Sequence, residues 1–229
     1  MTALTPPFVT IPAGRFLMGC DDGAENERPA HGVRMDAFEM AIHPVTRREY
    51  EAFLQDSGHE PPREWTAMPD EPNAPVVGVS WHDCQAYCGW RSSHGDSVRL
   101  PSEAEWERAA RGGVDGRRYP SGDEIPAWIP NAGRGPVDGP WPVTLGEPNA
   151  FGLFGIAANI HEWCVDWYDG GYYARSPEQN PAGPATGVRK ASRGGSWRHA
   201  ITISRCAARS RISPSFRYTD YGFRLVRDS

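Results

Sequence analysis

Side chains able to do chemistry fall in a few places along this 229-residue sequence. Cys84 and Cys88 stand four apart, which puts two thiols on one helix face, but a zinc site needs further Cys or His at matching spacing and none is evident. Ser196 follows two glycines as the nucleophile of a strand-to-helix elbow does, yet Gly-x-Ser-x-Gly is not matched because Arg198 occupies the last position. Glu103, Glu105 and Glu107 offer three carboxylates in one turn and a half. Acid catalysis and helix-start capping compete for them, and their place just after Ser102 favours capping and interaction with the helix dipole. Imidazoles occur in Asn159-Ile160-His161-Glu162-Trp163 and in Trp197-Arg198-His199, each beside aromatic and charged neighbours.

Three helices are legible as carriers. Thr46-Arg47-Arg48-Glu49 is a capping box, in which hydroxyl and carboxylate each satisfy an orphan amide, and Tyr50, Phe53 and Leu54 follow at helical spacing. Ser80 precedes an acid in the first turn and then Cys84, Tyr87 and Cys88 on one face. Ser102 to Glu105 repeats the capping box, with Gly112-Gly113 as the stop. Phe8 to Gly19 reads as two short strands around a Pro-Ala-Gly turn, and Val33 to Ile42 as one strand. Strand-like pieces recur at Arg189 to Gly194, Arg205 to Ser210 and Gly222 to Val226, placed to return against the N-terminal strands. Between Gly112 and Pro148 periodicity is lost, and so long an irregular stretch in a compact domain is usually functional, ion-stapled or disordered.

Composition sets the outer bounds. The length fits one domain, residues 1–229, able to bury roughly 70% of the surface its unfolded chain exposes. With 25 Gly, 22 Pro and nine Trp, a loop-rich α+β globule is expected rather than a helical bundle or a doubly wound sheet. A net charge of −5 argues against nucleic acid and anionic membranes as partners. The first residues lack a basic and an apolar leader segment and no run approaches a membrane span, so a cytoplasmic location and reduced cysteines are expected.

Leu100 to Glu107, Asn159 to Trp163, Arg193-Gly194-Gly195-Ser196-Trp197, Arg205-Cys206-Ala207-Ala208-Arg209 and Tyr221 to Val226 together resemble the formylglycine-generating enzymes, or sulfatase-modifying factors. The resemblance runs from Phe8 to Val226 and implies that family's variant of the C-type-lectin fold: a small twisted antiparallel sheet, a few helices and much irregular backbone. Active members oxidise a substrate cysteine with Cu(I) held by two cysteines between the Gly-Gly-Ser and Arg-Cys-Ala-Ala-Arg blocks. Here the interval is Trp197 to Ser204 and contains none. His199 stands at the first of those positions, and Thr202 and Ser204 are the polar groups near the second; a hydroxyl cannot replace a thiolate on Cu(I). His161 also departs from the pattern. With Glu162 or Asp166 it and His199 would make a His/His/carboxylate set suited to Fe(II), Zn or Cu, against the alternative of two hydrogen-bonded groove histidines.

The resemblance further implies a calcium site at Asn131, the backbone of Ala132, Asp138 and the backbone near Pro140. A second would use Ala158, Ile160 and Glu162, although Gly155 stands where a side-chain ligand is usual. It brings Cys88 near Cys206, a disulfide under oxidising conditions and two packing thiols otherwise, and it gives Arg209 and Arg224 structural roles. Two classes of function follow. One is a peptide- or protein-binding or regulatory module of inhibitor or immunity type, with Trp163, Trp197, Arg198, His199 and Tyr218 as contacts. The other is a metal-dependent oxidative or modifying enzyme, of sulfur-transfer or secondary-metabolite maturation type, centred on His161 and His199 with Ser196 nearby.

Overall fold

The computed structural model describes residues 6–66, 70–130 and 138–228. Its strands are β1 (Phe8–Ile11), β2 (Gly14–Met18), β3 (His31–Met35), β4 (Phe38–Ala41), β5 (His161–Trp167), β6 (Lys190–Arg193), β7 (Arg209–Ile212), β8 (Tyr221–Gly222) and β9 (Val226–Asp228). The helices are α1 (Arg47–Ser57), α2 (Trp81–Ser93) and α3 (Glu103–Arg111). All three start on full capping boxes. Thr46, Ser80 and Ser102 accept the N3 amides of Glu49, Asp83 and Glu105 at 3.2, 3.2 and 3.1 Å, and each N3 carboxylate accepts the cap amide in return at 2.7 to 2.8 Å. Gly112 ends α3 in the left-handed region at φ 61°, as the Gly-Gly stop requires.

The two expected strands around the Pro-Ala-Gly turn are present as β1 and β2, in different sheets. β1 and β2 do not pair with each other: β1 lies antiparallel to β4, and β2 to β3. The single strand expected over Val33–Ile42 is broken between Met35 and Phe38, because its halves belong to two different sheets. β9 returns antiparallel to β4, with Met40 opposite Val226, so the last of the three expected pieces reaches the N-terminal strands, whereas the pieces at Arg189–Gly194 and Arg205–Ser210 supply β6 and β7 of another sheet. A four-stranded sheet of order β7-β6-β5-β8 completes the architecture, and in it the β5–β8 pair is parallel. No helix among the described residues is long and apolar enough to cross a membrane.

Aromatic packing and buried ion pairs hold these layers. Tyr50 of α1 stacks on Tyr87 of α2 with centroids 5.8 Å apart, and Phe223 meets the Tyr87 ring edge-on at 5.3 Å. Behind α3, Glu103 binds Arg209 through both oxygens at 3.0 and 2.6 Å and Arg193 at 3.1 Å. Glu107 binds Arg193 at 2.5 Å and Arg111 at 2.6 Å. Glu105 therefore caps as expected, whereas Glu103 and Glu107 neutralise buried guanidinium groups that tie α3 to β6 and β7. Losing one partner of such a pair leaves an uncompensated buried charge, which is why these acids are structural.

All five cysteines are free. Cys88 packs in the cluster with Tyr87 and Phe223, and Cys206 in another with Trp106 and Cys164. The two sit as buried packing thiols and form no disulfide, and burial pushes each up to about 12.

Candidate functional site

β5 decides what the histidine-rich region can do. Alternate residues of a strand face opposite sides, so His161 and Glu162 diverge. Glu162 points into the core, where its Oε1 accepts from Arg224 Nη2 at 2.9 Å and its Oε2 accepts from Arg224 Nε at 3.0 Å and Trp106 Nε1 at 2.9 Å. Glu162, the carboxylate of the second expected calcium set with Ala158 and Ile160, is thus engaged by a guanidinium and an indole. Arg224 is structural, as the resemblance implied. Asp166 is also elsewhere: it accepts the Glu103 amide at 2.9 Å at the start of α3, and burial beside Glu103 raises it to about 8.

The carboxylate that joins the two histidines is Asp220, which sequence reading missed. β8 runs parallel to β5 with His161 opposite Tyr221, and the His161 amide donates to the Asp220 carbonyl at 2.9 Å. The polar ends of His161, His199 and Asp220 consequently lie within 4.8 Å of one another. His199 Nε2 is 3.7 Å from Asp220 Oδ2, and the two imidazole centroids are 5.5 Å apart. Nothing in the sequence separation of 59 residues between His161 and Asp220 signals this; only the parallel strand pair creates it.

His161 is 4% exposed, stacks on Tyr221 with centroids 4.6 Å apart, and its Nδ1 finds no hydrogen-bond partner among the described residues. Burial lowers it to about 4 despite the opposing pull of Asp220, with His199 adding to the depression, so the ring is neutral at physiological pH and keeps a free lone pair. Ser196 is 1% exposed and its Oγ donates to Asp220 Oδ2 at 2.8 Å. The carboxylate thus lies between hydroxyl and imidazole. That is not the order of a hydrolytic triad, in which the imidazole stands between the two.

Two glycines bring these segments together. Gly195 has φ 65°, and a Cβ there would lie 2.2 Å from Ser204 Oγ. A Cβ at Gly222 would lie 2.2 Å from the Val76 carbonyl oxygen, a backbone atom that cannot give way.

The proposed contact residues divide. Trp163 is fully buried, donating its indole N–H to the Val79 carbonyl at 3.0 Å, and Trp197 packs at 7% exposure against Val77 and Ile160; neither presents a face to a partner. Arg198 is exposed and Tyr218 is 52% exposed. Beside Tyr218 stands Phe216, equally exposed and not foreseen, their ring centroids 5.9 Å apart. Between them Arg217 forks onto Asp83 at 2.8 and 2.7 Å, pinning the loop to the start of α2. Tyr218 lies 6.0 Å from Tyr221, so an aromatic row leads from open surface to His161. An open cleft lined by Arg63, His82, Phe216 and Tyr218 runs alongside.

The family's copper dithiolate does not fit these residues. No cysteine lies in Trp197–Ser204, and Cys84, Cys88, Cys164 and Cys206 are buried in the core with their thiols held up by burial. Of the first calcium set, Asn131 and Ala132 lie outside the described residues; Asp138 is exposed and its carbonyl accepts the Trp141 indole N–H at 2.8 Å.

Comparison with known proteins agrees with the architecture. A "Sulfatase-modifying factor enzyme 1-like domain" family model matches residues 2–229. The chain is 35% identical over 240 residues to "Serine/threonine-protein kinase pkn1" of Chlamydia caviae, covering 96% of this chain and 38% of the kinase, so it spans little more than a third of that relative. It is also 35% identical over 284 residues to the "Formylglycine-generating enzyme" of Streptomyces coelicolor, covering 96% of this chain and 89% of that one. The solved structure of PvdO from Pseudomonas aeruginosa superposes with a TM-score of 0.81 at 27% identity, covering 98% of this chain and 95% of that one. The α+β architecture is the formylglycine-generating-enzyme variant of the C-type-lectin fold. With a family match over nearly the whole length and an enzyme of that family 35% identical, the chain belongs to the sulfatase-modifying factor enzyme 1-like domain family.

Proposed function

We propose that this chain is a recognition module of its family, binding a peptide or protein segment across Phe216 and Tyr218 and acting as a regulatory or inhibitory partner rather than as a formylglycine-generating oxidase. One observation carries the reading: the scaffold is intact while both thiol positions of the copper site are lost and every fully buried thiol is engaged in packing. Two exposed aromatic rings on a loop pre-set by the Arg217–Asp83 fork suit this role, since large rigid side chains held in place dominate interface energy and lose little entropy on binding. The match to part of a protein kinase is in keeping with a domain that works beside others.

The test is selection of a displayed random-peptide library on the full chain, with counter-selection on the Phe216→Ala/Tyr218→Ala double variant. Enriched peptides should bind the wild type and lose about tenfold or more on the variant, as hot-spot residues do. Peptides that bind both alike, or aldehyde formation on a cysteine peptide when Cu(I) is supplied, would overturn the reading.

A second reading, a metal-dependent modifying enzyme of another chemistry, has one observation in its favour: the convergence of His161, His199 and Asp220.

A further inference from the structure

We propose that His161, His199 and Asp220 form a binding site for one divalent first-row transition metal ion of the zinc or iron(II) class. Three separate segments deliver these groups: the start of β5, the loop after Gly194-Gly195, and the residue before β8. Their ligand atoms already lie within 4.8 Å of one another, and His199 Nε2 is 3.7 Å from Asp220 Oδ2. Metal–nitrogen and metal–oxygen bonds of about 2.0 to 2.2 Å place neighbouring donor atoms roughly 3 to 3.5 Å apart. The His199–Asp220 pair is already close to that spacing, and the His199 ring, 42% exposed, has room to adjust toward it.

The other two donors are fixed in advance. Tyr221 stacks on His161 and sets its ring plane, while the His161 amide holds the Asp220 carbonyl. Ser196 donates to Asp220 Oδ2, the kind of outer hydrogen bond that orients a ligating carboxylate. A second and independent observation points to a missing partner: His161 Nδ1 is buried and unpaired among the described residues, in a ring only 4% exposed. Buried polar atoms are nearly always satisfied, so an orphan of this kind calls for an occupant.

The donor set also selects the ion. Two imidazoles and a carboxylate suit Zn(II), Fe(II) or Cu(II), whereas Cu(I) is held by thiolates, and no thiol is part of this cluster. His199 is 42% exposed, so the cluster is open to solvent on that side. A segment bound along Tyr218 would therefore approach the ion over Tyr221.

The test uses the full chain without a purification tag, stripped by chelator and titrated with Co(II) and then Zn(II). We expect one Co(II) per chain, visible d–d bands with no thiolate charge-transfer band, and displacement by Zn(II). Ser196→Ala should weaken binding roughly 10- to 100-fold, the cost of an outer-shell loss, and His199→Ala and Asp220→Asn by more. His199→Ala is the decisive variant, because its half-exposed ring can be removed without opening the core, and its metal-free melting curve should match the wild type. Absence of a saturable site, a thiolate band, or binding unchanged in His199→Ala would overturn the proposal. Loss of peptide binding in Phe216→Ala/Tyr218→Ala, with Co(II) binding retained, would separate this site from the recognition surface.

Discussion

Replacing Glu162 by Gln tests whether this carboxylate is a structural anion. The side chain is fully buried and its oxygens take three charge-assisted or indole hydrogen bonds at 2.9 to 3.0 Å. Gln preserves the shape but removes the charge and turns an N–H group toward Arg224 or Trp106. The Arg224 guanidinium, also fully buried, is then left uncompensated, although it still donates to the Ala41 and Phe154 carbonyls at 3.0 and 2.8 Å. Breaking a buried pair on one side costs about 3 to 5 kcal/mol. In a domain of this size 1 kcal/mol moves Tm by about 2 to 4 °C, so a fall of roughly 6 to 20 °C is expected. Urea unfolding followed by tryptophan fluorescence gives the free energy directly. The double variant Glu162→Gln/Arg224→Met should lose less than the sum of the single variants, with a coupling of about 1 to 3 kcal/mol. A loss below about 1 kcal/mol for Glu162→Gln, or strict additivity, would refute the argument. So would a Tm that calcium raises in the wild type and not in Glu162→Gln, since that would make the carboxylate an ion ligand.

Two further outcomes follow from buried titrating groups. Asp166 is raised from 3.8 to about 8 in the folded chain, so between those values the native state holds a proton that the unfolded chain has released. Its contribution to stability is thus full below about pH 4 and lost as pH rises through about 8, at up to about 1.4 kcal/mol per pH unit; Asp166→Asn should flatten the fall in Tm over this window, and an unchanged profile would contradict it. Thiol labelling of the native chain at neutral pH should modify Cys20, which is partly exposed, and spare Cys84, Cys88, Cys164 and Cys206, whose thiols are buried and pushed up by burial. Rapid modification of a second thiol, counted by mass spectrometry, would show that a thiolate is available for soft-metal chemistry after all.

The proposed recognition surface and the histidine–carboxylate cluster lie on one continuous aromatic row, yet they draw on different side chains. Phe216 and Tyr218 are held out by the Arg217–Asp83 fork, while His161 is held in by Tyr221. The two proposals are therefore separable by mutation.

Local chemistry was readable from the chain alone. Capping boxes act within four residues, so Thr46, Ser80 and Ser102 announce α1, α2 and α3 without help from the rest of the fold, and the absence of cysteine between Trp197 and Ser204 removes the copper dithiolate whatever the structure. The motif set likewise indicated family and fold class. What faced what was not readable. Glu162 and Asp166 were the carboxylates nearest His161 in sequence, but strand alternation turns Glu162 into the core and distance carries Asp166 to the α3 terminus. Asp220 reached the site through a parallel pairing of β5 with β8, a non-local contact that leaves no local periodicity to read. Burial settled the remaining roles in the same way: Trp163 and Trp197 became core, and Phe216 became surface, because side-chain exposure depends on which distant segments pack above each residue.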